Sequence, residues 1–228
     1  MASALIGPAV AQKSEVAKPE VDGQLWIGAG VDFKPFRKKS GNVSQPRFFR
    51  NLRMSSELDV KLDNNATHAK QINLNAGAKY PVASFMNVGA EYRYSIRPEQ
   101  TNRNRIDLHL WLKWKKDRFR TDYRFEYEHA FLPAWKLRTL LRNRFGIEYN
   151  IPKWKFDPRV SAESFTALHY TGNRVVGMRY ELGTDVNLDK KKDRTLGLAV
   201  RYDQELNIPW PENAWILVIA FEHSFKKK

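Results

Sequence analysis

Apolar and polar residues alternate along this chain almost without a break from Gly23 to Phe225, a period of two that belongs to extended strands. The stretch RFRTDYRFEYEHA, residues 118–130, carries the pattern most clearly. Arg118, Arg120, Asp122, Arg124, Glu126 and Glu128 fall on every second position, with Phe119, Thr121, Tyr123, Phe125, Tyr127 and His129 between them. Successive strand side chains point to opposite faces, so this segment has one charged face and one largely aromatic face.

The same phase recurs in Leu25, Ile27, Ala29, Val31 and Phe33, in Leu58, Val60 and Leu62, and in Leu108, Leu110, Leu112 and Trp114. About eleven strand candidates follow one another. Between them lie DNNATH, RPEQTN, KKD, TGN, DKKKD and IPWPEN, which carry turn chemistry. No helical period outlasts a couple of turns. The expectation is an all-β antiparallel up-and-down meander, a single domain over residues 23–228. Residues 1–22 precede it: Ala9-Val10-Ala11 has the small-x-small shape of a signal-peptidase site, so this segment reads as a signal-peptide remnant and linker, or as an ordinary disordered terminus.

Composition narrows the class. With 42% hydrophobic residues the chain is too apolar for disorder, even at a net charge of +14. No run reaches the length of a membrane helix, whereas a transmembrane β-barrel hides its apolar band by alternation. The absence of cysteine excludes disulfides and cysteine-ligated metal sites. No phosphate loop, HExxH or calcium-loop pattern occurs, and no cofactor is expected.

Alternating strands suit two architectures. A soluble lipocalin-like barrel turns its apolar rows inward, and an outer-membrane barrel turns them outward. Many runs here reach about ten residues, enough to cross a bilayer at a tilt. The apolar rows also end in aromatics near the turns, at Tyr80, Trp114, Tyr127, Tyr149 and Tyr170, with Phe225 closing the last strand. Glycines such as Gly77, Gly89, Gly146, Gly177 and Gly183 sit in the polar rows, where a small barrel needs room. These features favour a transmembrane β-barrel of about 10–12 strands. An even number is expected when both termini lie at one end, so a twelfth strand is sought around Lys34–Arg50.

The polar row then lines the lumen. Arg124, Glu126 and Glu128 precede the Ala130–Trp135 turn, Arg138, Arg142 and Arg144 follow it, and Glu148 and Glu163 extend the row. Antiparallel neighbours bring such residues within pairing reach, either as a stiffening network or as an anion-leaning pore wall. His109 points inward beside Asp107 and Trp111. A Ser/His site on the outer wall is the enzymatic alternative. Hairpins at Ala130–Trp135 and Pro152–Phe156 set His129 opposite Thr139 and Ser164 opposite Asn143, too far apart for a dyad.

Several pieces together resemble a known family: WIGAGVDFKPF, EYRYSIR, LRTLLRNRFGIEYNI, DPRVSAESF and the closing strand. The chain is similar to the DUF2490 family of outer-membrane β-barrels of Gram-negative bacteria, from about Trp26 to Phe225. The resemblance implies an outer-membrane barrel and supplies no activity or catalytic residues. The last strand resembles those whose terminal aromatic is read by the outer-membrane insertion machinery, with Lys226-Lys227-Lys228 as a departure. The functional expectation is a narrow polar-lumen channel or an envelope structural protein, monomeric, in contact with membrane lipid and lipopolysaccharide and not with nucleic acid. A lipid hydrolase comes second and a soluble lipocalin-like carrier third.

Overall fold

The computed structural model describes residues 18–36, 39–40, 43–44, 46–133, 136–169, 172–189, 191, 193–208 and 210–225. The signal-peptide reading of residues 1–17, the aromatic at Tyr170 and the tail Lys226–Lys228 lie outside the described residues.

The first strand, β1 (Glu20–Phe33), is followed by β2 (Lys39–Ser40), β3 (Val43–Ser44) and the single turn α1 (Arg47–Asn51). Then come β4 (Arg53–Asp63), β5 (His68–Pro81), β6 (Met86–Ile96), β7 (Arg103–Lys116) and β8 (Phe119–Ala130). The chain finishes with β9 (Thr139–Tyr149), β10 (Asp157–Leu168), β11 (Arg174–Asn187), β12 (Arg194–Glu205) and β13 (Glu212–Phe225). The long strands β1 and β4–β13 close into one eleven-stranded barrel in which each pairs with its neighbours in sequence.

The alternation read from the sequence is therefore an all-β meander, with a correction to its closure. The even strand count does not hold. β1 and β13 pair in parallel, from Glu20 opposite Glu212 to Phe33 opposite Phe225, while every other barrel pair is antiparallel. A parallel ladder satisfies the backbone groups with evenly spaced slanted bonds, so an odd meander can close and its two ends emerge at opposite rims. The twelfth strand sought around Lys34–Arg50 is replaced, among the described residues, by the β2–β3 pair and α1.

Local chemistry fixes the turns. Asn64, Asn65 and Ala66 all adopt positive φ between β4 and β5. Asp22 of β1 accepts from the Asn64 and Asn65 amides at 3.2 and 3.1 Å and pins this turn to the wall. The turn comes so close that a Cβ on Gly23 would sit 2.9 Å from Asn65 Oδ1.

The burial is inverted relative to a soluble domain. Among the described residues the buried hydrophobic set is only Ala130, Ala167, Ala199, Ala214 and Ile216. Buried polar and charged residues outnumber it and include Asp107, Glu126, Glu128, Arg142, Glu163 and Glu181. The apolar rows instead face outward, with Leu108 at 51% exposure, Leu182 at 59% and Trp215 at 55%. A lipocalin-like carrier needs those rows around its cavity and does not fit this arrangement.

The interior is also lopsided. Strands β7–β11 supply most of the large charged side chains. Gly28 of β1, Gly197 and Ala199 of β12, and Val218 and Ala220 of β13 supply a wall of small residues opposite them. A cavity of about 520 Å³ occupies the space that this wall leaves.

Candidate functional site: a charged lumen

Arg142 on β9 is the hub of the interior. Its Nη1 donates to Glu126 and Glu128 at 2.9 and 2.6 Å, and its Nε and Nη2 donate to Glu163 at 3.1 and 2.9 Å. The register explains the first contact, because Glu126 stands directly opposite Arg142 across β8–β9. Glu163 stands opposite Arg144, yet its carboxylate takes the diagonal Arg142 and, beyond Arg144 in the same row, Arg124 on β8 at 2.8 Å.

Like charges in register are the cost of this packing. Asp107 lies directly opposite Glu128 on β7–β8, an arrangement that repels unless a cation is shared. Arg105 is that cation, reaching Asp107 at 2.7 Å and Glu128 at 2.9 Å. His109 stacks on Trp111 with centroids 4.7 Å apart, and its Nδ1 lies 3.2 Å from Glu126.

A second knot centres on Glu181 of β11. Arg201 reaches it at 2.5 Å, Arg159 at 3.1 Å and Arg144 at 3.7 Å. Arg179 extends the first knot toward β12: it lies 3.6 Å from Glu163 and grips Asp203 as a fork at 2.7 and 2.6 Å. Bidentate guanidinium–carboxylate pairs of this kind fix geometry as well as charge. Aromatic rings complete the layer, with Phe165 under the guanidiniums of Arg142 and Arg179 at 5.0 Å each. Trp26 lies under Lys61, Arg179 and Arg201 at 3.6, 5.3 and 5.0 Å.

Of the residues singled out from the sequence, Arg124, Glu126, Glu128, Arg142, Arg144 and Glu163 meet in this network. Arg138 does not: it lies exposed in the β8–β9 connection, where its carbonyl accepts from the Ala130 amide at 2.7 Å. Glu148 does not either, because it pairs with Arg120 at 2.7 Å at the C-terminal rim. Sequence reasoning left out Lys61, Arg105, Arg159, Arg179, Glu181 and Arg201, all of which line the cavity. Their positions in the alternating polar rows were the available signal.

Three carboxylates, Asp107, Glu126 and Glu128, place ligand oxygens within 4.8 Å of one another. Arg105 and Arg142 already occupy the space between them, so guanidinium groups serve where a metal would. The outer wall forms no Ser/His dyad from the pair considered. His129 stands opposite Thr139 and bonds its Oγ1 at 3.1 Å, and Ser164 stands opposite Asn143. His129 packs between Tyr127 and Phe131.

The aromatics singled out near the turns divide between the rims. Tyr80, Trp114, Tyr149 and Phe225 lie toward the C-terminal rim, and Tyr127 lies toward the N-terminal one. Tyr80 stacks on Phe48 of α1 at 5.0 Å, Tyr149 contacts Phe119 at 4.9 Å, and Phe225 meets His223 edge-on at 4.3 Å.

An apolar exterior around an ion-paired interior defines a closed β-barrel turned inside out relative to a soluble one. The chain belongs to the family described as "Protein of unknown function (DUF2490)", whose model matches residues 24–212. No curated protein and no solved structure matches it.

Proposed function

We propose that this chain is an outer-membrane β-barrel whose apolar wall lies in lipid and whose charged lumen forms a narrow, anion-leaning passage. The observation that carries the reading is the inverted burial: ionised side chains fill the inside and large apolar side chains cover the outside. Such a surface in water would be a severe aggregation hazard, whereas in a bilayer it is the expected one. The dimensions agree. Trp215 and Phe225 share the outward face of β13 ten positions apart, roughly 34 Å along the strand and about 26 Å along the membrane normal at a 40° tilt. That is close to the height of an outer-membrane apolar band.

The lean toward anions follows from the cavity lining, where ten Lys/Arg face eight Asp/Glu. The partners of this reading are membrane lipid and lipopolysaccharide outside, and the insertion machinery at the strand ending in Phe225. The monomer is the working unit.

A second reading, a closed envelope barrel with a structural role, is favoured by one feature. Glu126, Glu128, Arg142 and Glu163 are all buried and tied to one another by ion pairs inside the lumen. Planar-bilayer recording separates the two, after heat-modifiable gel mobility has established folding. Steady anion-selective conductance that changes on charge reversal of Arg142 and Arg144 supports the passage. A folded barrel that stays electrically silent eliminates it and leaves the structural role.

A further inference from the structure

The two rims of the barrel differ in charge. The five connections at the C-terminal rim include KPFRKK and PRFFR between β1 and β4, DR between β7 and β8, PKWK between β9 and β10, and DKKKD between β11 and β12. Together the five hold twelve Lys/Arg against three Asp/Glu. The five at the opposite rim, RPEQTN and FLPAWKLR among them, hold three against one.

On one side of the C-terminal rim the cations stand among exposed aromatics. Trp114 and Lys116 end the outward row of β7, and Lys116 is opposite the exposed Phe119 of β8. Lys115 and Arg118 are exposed beside them. The Arg118 carbonyl accepts from the Asn150 amide at 2.9 Å, which joins this turn to the β9–β10 connection and its exposed Lys153, Trp154, Lys155 and Phe156. Two of the acids nearby are engaged. Glu148 pairs with Arg120 at 2.7 Å, and Asp157 accepts from the Asn150 side chain and the Ile151 amide at 2.8 and 2.9 Å. Asp117, in the β7–β8 turn, offsets one cation. Lys115, Lys116, Arg118, Lys153 and Lys155 make no ion pair among the described residues, so a positive surplus remains.

The same combination recurs at α1. Phe36, Phe48 and Phe49 are exposed and share ring contacts at 4.9 and 5.4 Å, and the exposed Arg47 and Arg53 flank them without ion pairs among the described residues. Rings beside long cationic side chains suit an interfacial layer. The rings lie at headgroup level, and the Lys and Arg stems reach past them toward phosphates.

We infer that the C-terminal rim is a docking surface for an anionic phospholipid layer, with lipid phosphates held by the β7–β8 and β9–β10 connections and by the segment around α1. The inference rests on the lipid-facing reading of the outer wall and assigns the headgroup chemistry at one rim. Cations spread over separate connections need several anions side by side, which a layer of single-phosphate headgroups supplies. Each Lys or Arg near such a surface adds to the attraction.

The test folds the full chain into vesicles of phosphatidylcholine alone, of phosphatidylcholine with equimolar phosphatidylglycerol, and of phosphatidylcholine with lipid A. The barrel is then extracted into neutral detergent, and its retained lipid is counted by native mass spectrometry. Phosphatidylglycerol should be retained in clear preference to phosphatidylcholine. The combined variant Lys115→Gln, Lys116→Gln and Arg118→Gln lowers that preference about tenfold or more. Lys153→Gln with Lys155→Gln lowers it too and covers the case in which the triple variant does not fold. Arg97→Gln, Arg138→Gln and Arg174→Gln together, at the opposite rim, leave it unchanged. Equal retention of the two phospholipids overturns the inference, as does an equal loss from the two triple variants. Enrichment of lipid A alone overturns it in favour of a different occupant. A barrel that folds in phosphatidylcholine but ignores headgroup charge sinks only this surface, whereas a chain that enters none of the vesicles sinks the lipid-facing wall and this surface with it.

Discussion

Arg142 and Glu163, on adjacent strands β9 and β10, meet through two guanidinium nitrogens on one carboxylate oxygen at 3.1 and 2.9 Å, in the interior of the barrel. Glu126 and Glu128 converge on the same guanidinium. Removing it by Arg142→Met leaves three buried carboxylates facing one another with too little counter-charge. The expected loss is about 3–5 kcal/mol, read from urea unfolding of the refolded barrel. Adding Glu126→Gln and Glu163→Gln to that variant recovers much of the loss, because the uncompensated charge causes it. Equal instability of the single and triple variants would assign the loss to packing instead.

A different test concerns the close approach of strands. A Cβ on Gly183 would meet Leu198 O and the Ala199 Cβ at 2.7 Å each, both part of the rigid neighbouring strand. On Gly146 it would meet the Asp122 carboxylate at 2.7 Å, the movable end of a side chain. Gly183→Ala therefore costs about 1–3 kcal/mol as overpacking, and Gly146→Ala costs clearly less. The comparison is made on midpoints of denaturant unfolding, and a reversed order would refute this account of the crowding.

The strands were legible because a period of two survives in nearly every segment, and even the register of two hairpins could be placed. His129 stands opposite Thr139 and Ser164 opposite Asn143, as the turn positions required. Closure was not legible, because parity assumes both termini at one rim and nothing in the pattern of β1 announces a parallel partner. Half of the charge network was readable from neighbouring hairpins. The rest stood on later hairpins of the same polar rows, as with Glu181 directly opposite Arg201, and only the contacts of Trp26 on β1 with Arg201 on β12 and Arg179 on β11, made across the β1–β13 seam, required the barrel to be closed. Arg138 was misplaced because it follows the turn in the right phase but precedes the first residue of β9.

The proposed lipid contact of the outer wall makes a prediction opposite in sign to that for a soluble barrel. Leu108 lies mid-strand on β7 and is 51% exposed. Leu108→Arg lowers stability in lipid by about 2–4 kcal/mol, the penalty for a cation near the bilayer midplane. Folding titrations in phosphatidylcholine vesicles measure it. An unchanged or improved stability would mean that this wall meets water.

The parallel seam is the least conventional feature and can be probed directly, because the chain contains no cysteine. Val31 of β1 stands opposite His223 of β13. Paired strands lie about 4.8 Å apart, inside the Cα range that a disulfide spans. The double variant Val31→Cys with His223→Cys should therefore cross-link on mild oxidation. Once heated, its non-reduced form should run as a compact loop on a denaturing gel. Pairing Val31→Cys with Ile219→Cys instead sets the thiols four residues out of register, roughly 13 Å along the strand, and should leave them free. A seam shifted by four residues reverses that outcome, and a barrel closed in another register or left open at this edge yields neither product. Cross-linking of the first pair alone would place the N-terminal and C-terminal strands side by side, with Val31 level with His223.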